Sequence, residues 1–161
     1  MIRFARSADH AAIAEVVEAA FGQPDEARLV ERLRAGGDVM FELVSEDDGA
    51  VNGHILFSRL WADSQNLYAA LAPLAVRPGL QRTGVGSALT RASLDQAREF
   101  GAHGVIVLGH PAYYPRFGFS AEAAANVRSV YAGGPGFMAL ALEPGAFDAP
   151  VSVSYPDAFA A

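Results

Sequence analysis

Leu74-Ala75-Val76-Arg77-Pro78-Gly79-Leu80-Gln81-Arg82-Thr83-Gly84-Val85-Gly86 carries an apolar strand into a glycine-spaced turn and straight on into a helix. Gly84 and Gly86 have no Cβ, so a ligand can come close to the backbone there. The amides of a first helical turn lack partners inside the helix. Together with the positive end of the helix dipole they form an anion site suited to a pyrophosphate. Arg77 and Arg82 flank the turn and are placed to add positive charge, although a surface arginine is by default a solvated one.

Upstream of the turn, residues 67–76 read as a strand interrupted by Pro73, which cannot donate a ladder hydrogen bond. The strand is therefore expected to bulge, or to part from a neighbour, near that proline. Downstream, a helix is expected over residues 84–100, with Val85, Ala88, Leu89, Ala92 and Phe100 on its inward face and Gly101 as the stop. Val105-Ile106-Val107-Leu108 then reads as a strand buried on both faces. A strand, a crossover helix and a buried strand make a parallel pair.

The flanking chain supplies antiparallel strands. Residues 2–6 alternate like an edge strand, and Ser7 is positioned to cap a helix carrying Ile13, Val16, Val17 and Ala20 on one face and ending at Gly22. Pro24 starts a second helix, with Asp25 and Glu26 near its positive end and Gly36-Gly37 as the stop. Runs at residues 39–45 and 51–60 join through Glu46-Asp47-Asp48-Gly49, whose Asp-Gly pair signals a hairpin. Later extended runs fall at residues 127–132, 137–142 and 151–153. The run Phe137-Met138-Ala139-Leu140-Ala141-Leu142 is preferably a core strand, with an acceptor wall or the seam of a homodimer as the other readings. The order predicts a single α+β domain over residues 1–161: a mixed sheet, mostly antiparallel with one central parallel pair, flanked by helices on both faces.

Composition narrows the function. None of the 161 residues is cysteine, so disulfides, thiolate catalysis and thiolate zinc sites are excluded. All twelve basic residues are arginines, which excludes a Walker phosphate loop and any lysine Schiff base. The four histidines show no metal-binding spacing, and no metal is expected. A net charge of −6 argues against general nucleic-acid binding. No apolar run approaches a membrane span, and the first residues lack a signal-peptide core, so a soluble cytoplasmic protein without a membrane partner is expected.

The pattern Val76-x-Pro78-x-x-Gln81-x-x-Gly84-x-Gly86, followed by Leu89 and later by Tyr114-x-x-x-Gly118-Phe119, resembles the GNAT superfamily of acetyl-CoA-dependent N-acetyltransferases. The resemblance is strongest over residues 2–119 and thins beyond. It implies that acetyl-CoA is the acyl donor and that Gln81, Arg82, Thr83, Gly84, Val85 and Gly86 surround its pyrophosphate, with Ser87 adding a hydroxyl. It also implies that the backbone of Leu74, Ala75 and Val76 pairs with the pantetheine arm. The resemblance makes the Leu74 amide the donor to the thioester carbonyl, and Tyr114 the general acid, a phenol that protonates or hydrogen-bonds the departing thiolate. Core packing is the plain alternative for Tyr114, and Tyr113 beside it competes for the inward position.

The catalytic base does not transfer: where some members carry a carboxylate, four residues before Leu74, this chain has Ala70. Glu42, His54, Asp63, His110 or a held water remain as substitutes. His110, next to the aromatic segment, is preferred among them. The implied activity is transfer of an acetyl group to a primary amine by direct attack in a ternary complex. A non-catalytic acyl-CoA sensor with the same fold is the alternative. A dinucleotide-binding reading needs a third glycine where Leu89 stands. The amine is not legible; acids at residues 46–48 are placed to line its approach, but a solvated turn is the preferred reading for them.

Overall fold

The computed structural model describes residues 1–160. Eight strands form one sheet, whose main path runs β1 (Ile2–Phe4), β2 (Val39–Asp47), β3 (Ala50–Ala62), β4 (Tyr68–Val76), β5 (Gly104–Leu108) and β7 (Phe137–Ala141). Along that path only β4 and β5 are parallel. The short β6 (Val127–Arg128) pairs in parallel with β8 (Val151–Ser154), which also reaches the end of β3. Helix α3 (Val85–Glu99) packs on one face of the sheet, as the mixed fold requires of a crossover. Helices α1 (His10–Phe21) and α2 (Asp25–Ala35) cover the first half of the other face, and the chain beyond Ser120 covers its second half.

The hairpin forms where Asp-Gly placed it. Asp48 and Gly49 have φ of 50° and 79°, the two-residue turn that matches strand twist, and Asp47 sits opposite Ala50. Two of the acids there are engaged locally: Glu46 accepts from Arg3, and Asp47 accepts from Asn52. Asp47 and Asp48 are exposed, as a solvated turn requires, whereas Glu46 is part-buried against Arg3.

Pro73 marks a bulge, as its missing donor predicted. Three residues of β3, Ile55 to Phe57, stand opposite four of β4, Leu71 to Leu74. On its other side β4 pairs with β5 only from Tyr68 to Leu71. Beyond Leu71 the two parallel strands part and, among the described residues, leave the second half of β4 with β3 as its only strand neighbour.

Three local expectations are corrected. Ser7 does not cap α1; it opens a 3-10 turn, Ser7–Asp9, in which Asp9 accepts from the Arg6 amide and is gripped by both terminal nitrogens of Arg3. The buried face of α3 is Leu89, Thr90, Ser93, Leu94 and Ala97, whereas Ala88 and Phe100 are exposed, the latter by 47%. The face is rotated because Thr90 returns its hydroxyl to the Gly86 carbonyl at 2.8 Å, so a polar residue is buried without an orphaned donor. Finally, the run at 127–132 keeps only Val127–Arg128 as strand, since Ser129 accepts from the Tyr131 amide and turns the chain. Residues 137–141 are a core strand against β5, as preferred.

Under α2 lies a buried polar group. Arg34 donates twice to Glu42, at 2.8 and 2.9 Å, and His54 Nε2 lies 2.8 Å from the same carboxylate, with its Nδ1 buried and unpartnered. Burial pushes His54 below its ordinary value against the pull of Glu42, so the ring is neutral and donates through Nε2. Burial alone would raise Glu42, but the bonds from His54 and Arg34 outweigh it and hold the carboxyl at about 2. On unfolding, His54 regains a pKa near 6.5 and Glu42 one near 4.5, so the unfolded chain binds more protons as pH falls. Stability is therefore expected to decline below about pH 6.5, and further below about 4.5, in thermal melts followed by circular dichroism. His54→Leu should remove the first decline; a variant that keeps it would contradict the assignment.

Candidate active site

The helix that follows the glycine turn starts as the sequence dictates. Gly84 takes a left-handed φ of 99°, which a side chain would strain, and its carbonyl accepts the first ladder bond from the Ala88 amide at 3.0 Å. The amides of Val85, Gly86 and Ser87 therefore point out of the helix end without intrahelical partners. A Cβ on Gly84 would meet no protein atom within 4 Å, and one on Gly86 would stand 3.2 Å from the Tyr113 hydroxyl. The turn is a bare, amide-lined surface, open at Gly84 and walled at Gly86.

This surface is one end of a cleft of about 1400 Å³. Leu74, Val76, Gln81, Arg82, Gly84, Gly86, Ser87 and Tyr114 all line it, together with Ala72 and Pro73 from the parted strand. Three residues expected at the cofactor do not line it with their side chains. Ala75 packs against α1, Thr83 turns its hydroxyl back to the Leu80 carbonyl, and Val85 packs into the core beside Gly53. Their backbones still belong to the strand and turn that form the wall. Gln81 donates to the Val76 carbonyl at 3.1 Å, which fixes the turn against the end of β4. Ser87 shares its hydroxyl with Tyr113 at 3.2 Å.

The charge at this end comes from a different pair of arginines than the sequence indicates. Arg82 lines the cleft, but Arg77 donates to the Val51 carbonyl on the far side of β3. Arg116 takes its place, lying 4.5 Å from the centre of the Tyr113 ring and lining the cleft. Sequence reading missed Arg116 because only the 3-10 turn Tyr114–Phe117 brings it back over Tyr113.

Tyr114 is 7% exposed and stands edge-on to Tyr113 and Phe119, with ring centres 5.0 and 5.8 Å away. The ring fits because Gly109 has no side chain: a Cβ there would come within 2.5 Å of it. Burial, with Tyr113 beside it, raises the phenol above its ordinary value, so Tyr114 carries its proton at neutral pH. Tyr113 is the less buried of the two, so Tyr114 takes the inward position.

Of the candidate bases, His110 is the one that lines the cleft, and Ala70 faces it with a methyl group. Glu42 and His54 are engaged with each other and Arg34, and Asp63 accepts from the Ser152 amide. The opposite end of the cleft is walled by Ala20, Phe21, Glu26 and Leu29 from α1 and α2, and by Tyr131, Tyr155 and Phe159 from the C-terminal chain. The sequence marks Ala20 and Glu26 only as helix residues and none of these as part of a site, because they come from segments far apart in the chain. Among the described residues no metal-binding cluster is present and no helix is long and apolar enough to cross a membrane.

Comparison with known proteins agrees with this architecture. The acetyltransferase (GNAT) family profile matches residues 10–119. The uncharacterized N-acetyltransferase YhbS of Escherichia coli K12 is 35% identical over 135 residues, covering 83% of this chain and 81% of that protein. The crystal structure of E. coli YhbS in complex with CoA superposes with a TM-score of 0.93 at 32% identity, over 100% of this chain and 92% of that one. A Brucella melitensis GNAT family acetyltransferase in complex with acetyl-CoA gives a TM-score of 0.83 at 36% identity, over 99% and 97% of the two chains. The parted strand, the amide-lined turn and the buried tyrosine thus occur in a chain that belongs to the GNAT family of acetyltransferases.

Proposed function

We propose that the protein transfers the acetyl group of acetyl-CoA to a primary amine by direct attack within a ternary complex. The observation that carries this reading is the parting of β4 from β5 beyond Leu71, inside the cleft that also contains the glycine turn. The amides of residues 84–87, with Arg82 and Arg116, suit a pyrophosphate. The unpaired edge of β4 suits a pantetheine arm, whose amides pair as another strand would. That two similar proteins were crystallised with CoA and acetyl-CoA supports the same donor here.

The Leu74 amide donates to the thioester carbonyl oxygen, which gains negative charge as the amine attacks. The amine lone pair forms the new C–N bond and the C–S bond breaks. Tyr114 then hydrogen-bonds the departing thiolate or lends it a proton that the phenol regains from water, and the proton released from nitrogen leaves through His110, directly or by way of water. With no cysteine in the sequence, no acetyl-cysteine relay is needed or available.

Calorimetric titration with acetyl-CoA and with NADH, followed by a thiol-release assay, tests the proposal. Saturable binding of acetyl-CoA, none of NADH, and thiol release that depends on added amine are the expected results. Binding without release across a broad amine panel would instead make the protein an acyl-CoA sensor.

A further inference from the structure

Resting on the transferase reading, the far end of the cleft defines the acceptor. We infer that the acceptor is a small primary amine bearing an aromatic or apolar group, received by an aromatic wall and a single carboxylate. The wall is Phe21, Leu29, Tyr131, Tyr155 and Phe159, and the carboxylate is Glu26.

The wall is built by packing. Tyr131 and Tyr155 meet edge to face with ring centres 4.8 Å apart, and Tyr155 and Phe159 do the same at 5.1 Å. Such pairs hold each ring in a defined plane. The 3-10 turn Asp157–Ala160 seats Phe159 against Val30, Leu33 and Leu56, so the C-terminal chain is anchored to α2 and β3. Opposite, Phe21 leaves 43% of its surface exposed at the end of α1, and Leu108 leaves 57% exposed where β5 stops. Both line the cleft. Large apolar side chains left open beside a catalytic centre mark a site for an apolar group.

The charge is unequal along the cleft. Arg82 and Arg116 stand at the glycine turn, and Glu26 is the one carboxylate among the lining residues. Glu26 is half-buried and accepts from the Gln23 side-chain amide at 3.1 Å, which holds it at the start of α2. A carboxylate beside aromatic faces suits an organic ammonium, through its charge and through cation–π attraction. The same wall offers a sugar few polar partners: the Tyr131 hydroxyl is directed at the Phe159 carbonyl, 3.5 Å away.

The test compares kcat/KM for 2-phenylethylamine and tryptamine with that for glucosamine, spermidine and a lysine-containing peptide, while acetyl-CoA binding is measured separately by calorimetry. The aromatic amines are expected to exceed the others by about tenfold or more, the discrimination an apolar pocket provides. Glu26→Gln should raise the amine KM by roughly tenfold, the effect of losing a charge-assisted contact, with the acetyl-CoA KM unchanged. Phe159→Ala should raise KM for the aromatic amines in the same direction. If acetyl-CoA binds but turnover favours sugar, polyamine or peptide, or the aromatic amines are not turned over, the inference is overturned while the donor reading stands. Glu26→Gln with unchanged amine KM also overturns it. Failure of acetyl-CoA to bind would sink the transferase reading itself.

Discussion

Replacing Gly84 with leucine is expected to lower acetyl-CoA affinity by about a hundredfold or more, the equivalent of roughly 3 kcal/mol of binding energy. The effect has two separable origins. Gly84 has φ of 99°, where a side chain strains the backbone, and the strain should lower folding stability by about 1–2 kcal/mol. Independently, a Cβ at Gly84 meets no protein atom within 4 Å, so a leucine side chain extends into the space above the free amides instead of into the core. Gly101→Leu separates the two. Gly101 closes the other end of α3 with φ of 84° and is likewise free of neighbours within 4 Å, so its variant carries similar strain remote from the cleft. Calorimetry should show affinity lost in Gly84→Leu and retained in Gly101→Leu, with similar shifts in thermal midpoint. Equal affinities in the two variants would contradict the placement of the pyrophosphate over the turn.

The glycine turn was legible in the sequence because its determinants are local. A positive φ, a missing Cβ and a helix start are each set within a few residues, as are the Asp48-Gly49 hairpin and the interruption at Pro73. These features carry the half of the cleft proposed for the donor. The other half depends on segments far apart in sequence: Phe21 closes α1, while Tyr131, Tyr155 and Phe159 arrive from the far end of the chain. Their side chains meet only because the C-terminal chain covers half of one sheet face and docks on α2. No spacing rule encodes that meeting. The misread face of α3 has a related cause. Hydrophobic periodicity treats Thr90 and Ser93 as outward residues, yet the Thr90 hydroxyl is satisfied within its own helix and both are buried. Polar residues that bond locally are invisible to a pattern built on apolarity.

The same distinction governs the tyrosine pair, where spacing from Gly118 selects Tyr114 but only packing shows why. Tyr114→Phe is expected to lower kcat by about a hundredfold or more, the range for loss of a positioned general acid. Affinity for acetyl-CoA and folding stability should change little, because the ring contacts with Tyr113 and Phe119 and the fit over Gly109 involve carbon alone. A merely structural tyrosine would show the reverse, a lowered melting temperature with turnover intact. Tyr113→Phe is the necessary comparison, since its hydroxyl contacts Ser87 at the helix start and its ring carries Arg116. That variant should weaken acetyl-CoA binding more than it slows turnover. The physical basis is the position of each proton: burial keeps the Tyr114 phenol protonated, and no side chain of the site competes for it, so it is free for a thiolate formed where β4 and β5 separate. A thiolate is a weaker base than the tyrosinate of this buried phenol, so the phenol acts chiefly by hydrogen-bonding the sulfur as the C–S bond breaks, and that stabilisation would be what Tyr114→Phe loses. A kinetic pattern in which Tyr113→Phe loses kcat and Tyr114→Phe loses only affinity would exchange the two roles. Equal losses in kcat and affinity for Tyr114→Phe would remove the acid assignment altogether.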